Sequence, residues 1–93
     1  MKMFARLYAL GQIESGRSES GEWVRRTMVV ETIDDDRKLI ALDVFGQHRV
    51  EALNELQQGQ VLEVTFSIEA RMHEDKWYNR INLINVMPYQ TGR

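Results

Sequence analysis

The residues best suited to chemistry are aromatic side chains that stand beside basic ones at two places in the chain. Trp23 precedes Arg25 by two positions, and Trp77-Tyr78 stands between Lys76 and Arg80. Aromatic faces stack on nucleobases, and cations follow a phosphate backbone, without any need to read base edges. This combination suits the binding of a single-stranded polynucleotide better than it suits catalysis.

Residues that would support an enzyme are scarce. The chain has no cysteine, and its two histidines, His48 and His73, belong to no spaced ligand set for a metal. No glycine-rich phosphate loop follows a strand, and the serines between positions 15 and 20 have no nearby base to activate them. We therefore expect no enzyme, no metal site and no cofactor.

Length and charge describe a small globular protein. The 93 residues are 43% hydrophobic and carry a formal net charge of −2, which argues against nucleic-acid binding by bulk charge. We expect one domain over residues 1–88 and a short flexible tail over residues 89–93.

Arg6 interrupts the amino terminus before a signal peptide can form, and no apolar run approaches a membrane span. With no cysteine, a cytoplasmic location is expected, without membrane contact.

Hydrophobic periodicity defines the elements that must position the aromatic and basic residues. Apolar alternation predicts five strands, over residues 4–13, 23–33, 38–45, 61–72 and 77–87. Between positions 47 and 56 the period changes, and Val50, Leu53 and Leu56 predict a short helix that ends near Gly59. Residues 14–22, rich in Gly and Ser, are predicted to form a flexible loop.

Five strands with a helix between the third and the fourth predict an all-β fold, the OB-fold barrel. An SH3-like barrel also has about five strands but usually lacks this helix. Ligands of OB-folds use the face of strands two and three and the loops that join strands one to two and four to five. The sequence-predicted site has four central residues and three flanking ones: Trp23, Arg25, Tyr78 and Arg80, with Arg17, Lys76 and Trp77.

Two of these aromatic residues also have structural interpretations. Trp23 shares strand parity with Arg25, which favours exposure, but a tryptophan at a strand start also suits a lid over the barrel. Trp77 shares parity with Ile81 and Leu83, so it fits a barrel end as well as a ligand contact. Arg26 lies on the opposite face from Arg25, where pairing with a carboxylate at the barrel rim is the alternative to ligand contact.

Four short motifs carry a family resemblance over residues 4–86: Gly21-Glu22-Trp23, Val29-Val30-Glu31-Thr32, Phe45-Gly46 and Lys76-Trp77-Tyr78. In this order they resemble a family of short bacterial and phage proteins of unknown function, grouped with single-stranded-DNA-binding OB proteins. The chain is also similar in architecture to primosomal replication protein N and to bacterial single-stranded-DNA-binding proteins. It departs from the family pattern at Phe45, where a tryptophan is expected, and at Val24, where a basic residue is expected.

The resemblance implies an OB fold and binding of single-stranded DNA in replication, recombination or repair, with RNA as an open alternative. A homo-oligomer, dimer or tetramer, is expected. The rival hypothesis is an OB module for protein–protein contact or self-association without nucleic acid. The negative net charge and three apolar residues at outward strand positions, Val29, Leu39 and Phe45, motivate it.

Overall fold

Six strands and one short helix build the protein, and the computed structural model describes residues 1–89. The elements in chain order are β1 (Lys2–Leu10), β2 (Glu14–Ser18), β3 (Gly21–Thr32), β4 (Leu39–Phe45), α1 (Gln47–Ala52), a 3₁₀ turn (Leu53–Glu55), β5 (Val61–His73) and β6 (Lys76–Pro88).

Five of the strands close into a barrel, and β2 extends the sheet beyond it. Neighbouring strands follow the order β1-β5-β6-β4-β3-β2, and a further pairing of β1 with β3 closes the ring. The first half of β1 pairs with β5, and its second half pairs with β3. Between β4 and β6 the ring is joined at a parallel pair, Asp43 and Asn82. The predicted all-β OB-fold with a helix before the fourth barrel strand is confirmed; the strand count is six rather than five.

The core is made by the inward residues of the barrel strands together with two residues that follow β4. Met28 and Val30 of β3 are fully buried, as their parity predicts. Val50 of α1 and Leu53 of the 3₁₀ turn close the barrel from one side. Helix α1 ends at Ala52, earlier than predicted, and Gly59 serves a following turn at φ 87° rather than the helix end.

Strand β2 occupies the segment predicted to be a flexible loop, and that prediction is wrong. Its five residues pair with the first half of β3, from Glu14 opposite Arg25 to Ser18 opposite Gly21. The strand lacks apolar alternation because it lies outside the barrel ring and buries no face in the core. Backbone pairing, cross-strand salt bridges and a contact of Gly16 with Trp23 hold it instead.

A bulge at Ile84 changes the face on which the side chains of β6 lie. Thr65 of β5 pairs with Asn85, and the next residue, Phe66, pairs with Leu83, so Ile84 is an extra residue. Arg49 of α1 donates from Nε to the Ile84 carbonyl at 3.1 Å. A bulge bends a strand and increases its twist. The sequence predicts this irregularity from the break in parity, two residues away at Asn82.

Beyond the barrel, β5 and β6 continue as a two-stranded ribbon, residues 68–81, which we call the arm. Its residues from Ile68 to Arg80 are all exposed. The tip is a two-residue turn in which Glu74 and Asp75 both have positive φ, 52° and 65°, as a type I′ hairpin requires. Residues 90–93 of the predicted tail lie outside the described part of the chain, while Tyr89 packs edge-on against Phe4 at 4.9 Å.

Asp34 organises the turn between β3 and β4. Its Oδ1 accepts hydrogen bonds from the Thr32 hydroxyl at 2.8 Å, from the Arg37 N–H at 3.1 Å and from the Asp36 N–H at 3.2 Å. These bonds, the one from Thr32 first, favour the ionised carboxylate and hold the pKa of Asp34 below its ordinary value.

We expect Asp34→Asn to lower the melting temperature at neutral pH. Because the folded-state pKa of Asp34 is depressed, its contribution to stability is full above the unfolded-state pKa and is lost as pH falls through the folded-state pKa. The difference in melting temperature between wild type and variant should therefore shrink below about pH 4. Thermal unfolding followed by circular dichroism across acidic pH checks this, with Asp35→Asn as control. A difference that stays constant with pH would contradict it.

Candidate nucleic-acid interface

The outer face of β3 and β4 presents two aromatic rings beside an arginine. Arg25 of β3 stands directly opposite Phe45 of β4. Trp23, two residues before Arg25, lies on the same face of β3. Trp23 and Phe45 keep 40% and 38% of their surface exposed. This exposure supports the ligand-facing interpretation of Trp23 over the lid, since a lid would be covered by the barrel end.

Trp23 is held in place by the strand that was predicted to be a loop. A Cβ added at Gly16 of β2 would lie 2.5 Å from Cζ2 of Trp23, so the indole ring rests against the Gly16 backbone. The Arg25 guanidinium lies 5.7 Å from the centroid of the Trp23 ring, within cation–π range. Arg25 also donates from Nε to Glu14 Oε1 at 2.8 Å. Contacts within the chain therefore fix the position of the ring.

One face of the arm continues this surface. Tyr78 and Arg80 alternate along β6 on the same face, and Arg71 and Glu69 stand opposite them on β5. Arg80 Nε lies 3.4 Å from Oδ2 of Asp43, which shares its outer face with Phe45. The Asp43–Arg80 contact thus joins the two predicted clusters into one surface, the groove, defined by Trp23, Arg25, Phe45, Asp43, Arg80 and Tyr78.

Trp77 lies on the other face of the arm. It is 67% exposed, so its interpretation as a residue that closes the barrel end is wrong. Its cross-strand partner is Met72, whereas Tyr78 pairs with Arg71. Adjacent residues of a strand point to opposite faces. Trp77 therefore does not share a face with Tyr78 and Arg80, as its parity with Ile81 and Leu83 predicts, although the sequence-predicted site includes all three.

The remaining predicted residues take different places. Arg17 lies on β2, where its Nη2 is 2.9 Å from Glu22 Oε2. Lys76 follows the tip of the arm on the same face as Tyr78. Arg26 is structural, because its Nε donates to the Gly11 carbonyl at 2.7 Å and its Nη1 to Asn54 Oδ1 at 3.0 Å. Among residues 1–89 no carboxylate pairs with Arg26, contrary to the expectation of an ion pair at the rim.

Two open depressions follow the groove and add residues that the sequence-predicted site lacks. One, of about 980 Å³, is lined by residues that include Trp23, Phe45 and Gly16. The other, of about 630 Å³, is lined by residues that include Tyr78 and Arg71. Outward parity already signals Phe45, whereas Arg71 becomes a candidate only through the pairing of β5 with β6.

A family model matches residues 4–87, nearly the whole chain, and its description is "Domain of unknown function (DUF3127)". The chain belongs to this family. The resemblance to an uncharacterised family is thereby confirmed. No curated protein sequence matches the chain.

Solved structures that are similar to this chain include single-stranded-DNA-binding proteins. Rim1, the mitochondrial single-stranded DNA binding protein from S. cerevisiae, superposes with a TM-score of 0.67 at 12% identity, over 99% of this chain and 96% of its own. A small single-stranded DNA-binding protein from Streptomyces coelicolor matches over 96% of this chain and 92% of its own, at 12% identity and a TM-score of 0.47. The likeness to Rim1 shows the fold.

Within residues 1–89, no helix is long and apolar enough to cross a membrane.

Proposed function

We propose that this protein binds single-stranded DNA without sequence preference and without catalysis. The observation that carries the proposal is the groove, where Trp23, Phe45 and Tyr78 alternate with Arg25 and Arg80. Aromatic rings stack with any base, and the arginines contact phosphate, so such a surface tolerates every sequence. The fold shared with Rim1 supports the proposal. The setting that fits it is bacterial or phage DNA replication, recombination or repair in the cytoplasm.

The expected affinity is modest. Stacking contributes about 1–3 kcal/mol per base, so three aromatic side chains supply about 3–9 kcal/mol before phosphate contacts are added. A dissociation constant of about 1 μM corresponds to about 8 kcal/mol. The net charge of −2 offers no long-range attraction to a polyanion. We therefore place the dissociation constant of one subunit in the micromolar range at moderate salt.

The two tryptophans allow a direct test, because they are the only ones in the chain and lie on different surfaces. In Trp77→Phe, Trp23 is the sole tryptophan, and oligo-dT titrated at low salt should quench its fluorescence, reversibly on addition of salt. In Trp23→Phe, Trp77 is the sole tryptophan, and its emission should stay nearly constant. Absence of any response by wild type at tens of micromolar oligo-dT would refute DNA binding. An equal response of oligo-U would extend the proposal to RNA.

Self-association is the second candidate function, favoured by the other face of the arm. Ile68, Met72 and Trp77 form an exposed apolar row there, since Met72 pairs with Trp77 and Ile68 lies on the same face of β5. Contiguous exposed apolar patches of this kind commonly mark sites of protein–protein contact. A second copy of the arm offers a matching uncharged face. The sedimentation coefficient of wild type over a range of concentrations tests this, and it should rise with concentration.

A further inference from the structure

The arginines of the groove are already paired with carboxylates of the same chain. Arg25 is paired with Glu14 at 2.8 Å and Arg80 with Asp43 at 3.4 Å. Two neighbouring arginines follow the same rule, Arg17 with Glu22 at 2.9 Å and Arg71 with Glu69 at 3.3 Å. These groups are exposed or, for Asp43, half-buried, so each pair contributes little to folding stability, about 0–1 kcal/mol. Their position, beside the rings that stack on bases, gives them a different importance.

A phosphate that approaches Arg25 or Arg80 must either displace the carboxylate from Nε or share the guanidinium with it. In either case the carboxylate stands within a few ångströms of the phosphate and repels it. It also takes up a cation from solution, which offsets the counterion that the nucleic acid releases. Exchange of one anion for another thus gains little free energy, and a ligand that offers only phosphates gains almost nothing from the groove.

A ligand with unstacked bases gains more, because stacking on Trp23, Phe45 and Tyr78 does not require an arginine to leave its carboxylate. Duplex DNA keeps its bases stacked inside and offers mainly phosphates. The same holds for a polyanion without bases, such as heparin. The internal salt bridges therefore penalise ligands that bind by charge alone, and they leave the contribution of stacking intact.

We infer that Glu14 and Asp43 are specificity-determining residues of the groove, which make binding depend on exposed bases rather than on phosphate charge. The inference rests on the proposed binding of single-stranded DNA and names the residues that restrict it. Glu14 acts on the arginine above Trp23, and Asp43 acts on the arginine that joins β4 to the arm. Glu22 is less suited to this role, because its salt bridge is about three-quarters exposed on both sides.

The test compares wild type with the double variant Glu14→Gln and Asp43→Asn, which keeps side-chain shape and removes two negative charges. The matched control is Asp35→Asn with Asp36→Asn, which changes net charge equally in the turn at the opposite end of the β3–β4 hairpin. The dissociation constants of labelled oligo-dT, a duplex of equal length and heparin are measured by anisotropy and competition over a series of salt concentrations.

In the groove variant we expect oligo-dT to bind on the order of tenfold tighter, with a salt slope steeper by about 0.7 per freed arginine. Duplex and heparin should gain more than oligo-dT, so that the preference for single strands falls. The control should keep the wild-type slope and preference. An unchanged slope and preference in the groove variant, with oligo-dT bound by wild type, overturns the inference and leaves the proposed function standing. Equal gains in the control overturn it as well. If neither wild type nor the groove variant binds oligo-dT at low salt, the proposed function itself fails.

Discussion

We expect the replacement of Trp23 by alanine to weaken the binding of oligo-dT by about 5- to 150-fold, which corresponds to the loss of about 1–3 kcal/mol of stacking free energy. The ring is 40% exposed and lies outside the barrel core, so its removal should leave folding intact. Fluorescence anisotropy of a labelled oligonucleotide gives the affinity, and circular dichroism gives the melting temperature. Trp23→Phe keeps an aromatic face and should recover much of the loss.

Gly16→Ala tests the position of the Trp23 ring without removing it. The backbone of Gly16 lies in a regular strand and does not need a glycine for its conformation, but the added Cβ would meet the ring at 2.5 Å. The ring must move away from β2, so we expect a loss of affinity smaller than that of Trp23→Ala.

If Trp23→Ala unfolds the protein, the lid interpretation is right. If it folds and binds as tightly as wild type, Trp23 is not a stacking platform.

We expect the replacement of Tyr78 by alanine to lower the affinity for oligo-dT by a similar factor, about 5- to 150-fold for the loss of one stacked base, and Trp77→Ala to leave it unchanged. The two residues are neighbours in sequence and both are exposed, at 53% and 67%. They lie on opposite faces of the arm, so they form a matched pair in which only the face differs. Binding is measured by anisotropy, and association by sedimentation velocity.

The expected pattern is reciprocal. Tyr78→Ala should retain the concentration dependence of the wild-type sedimentation coefficient, and Trp77→Ala should reduce it, because the apolar row with Met72 loses its largest member. Equal losses of affinity in both variants would mean that the ligand reaches both faces of the arm. No loss in Tyr78→Ala would restrict the stacking surface to β3 and β4.

Strand parity predicted the barrel well. The alternation of Met28 and Val30 against Trp23 and Arg25 follows from a period of two, which the core imposes on every strand that lines it. Strand β2 escaped prediction because it has no core face, and a segment held by backbone pairing and side-chain contacts leaves no hydrophobic pattern. The arm escaped for the related reason that apolar alternation continues through Ile68 beyond the end of the core.

The candidate site was predictable only in part. Parity identifies the face on which Trp23, Arg25 and Phe45 lie, because these residues belong to paired strands of the barrel. Trp77 keeps the parity of the core residue Leu83, but it lies on the arm beyond the end of the barrel, where that face has no core to cover. The salt bridges from Glu14 and Asp43 join residues 11 and 37 positions apart, and no local pattern in the sequence marks such pairs.

The bulge at Ile84 affects the direction in which the arm leaves the barrel but not which side chains the arm carries. Deleting Ile84 would leave every other pair of β5 and β6 opposite its present partner, since Thr65 already pairs with Asn85 and Phe66 with Leu83. The ribbon would lose local bend and twist but no aromatic or basic side chain. One residue thus sets the angle between the arm and the barrel. That angle also sets the distance that a single-stranded ligand would have to span from Trp23 to Tyr78. The carbonyl of this residue accepts a hydrogen bond from Arg49 of the helix. Loss of Ile84 would therefore change the spacing between the two aromatic clusters without changing their side chains.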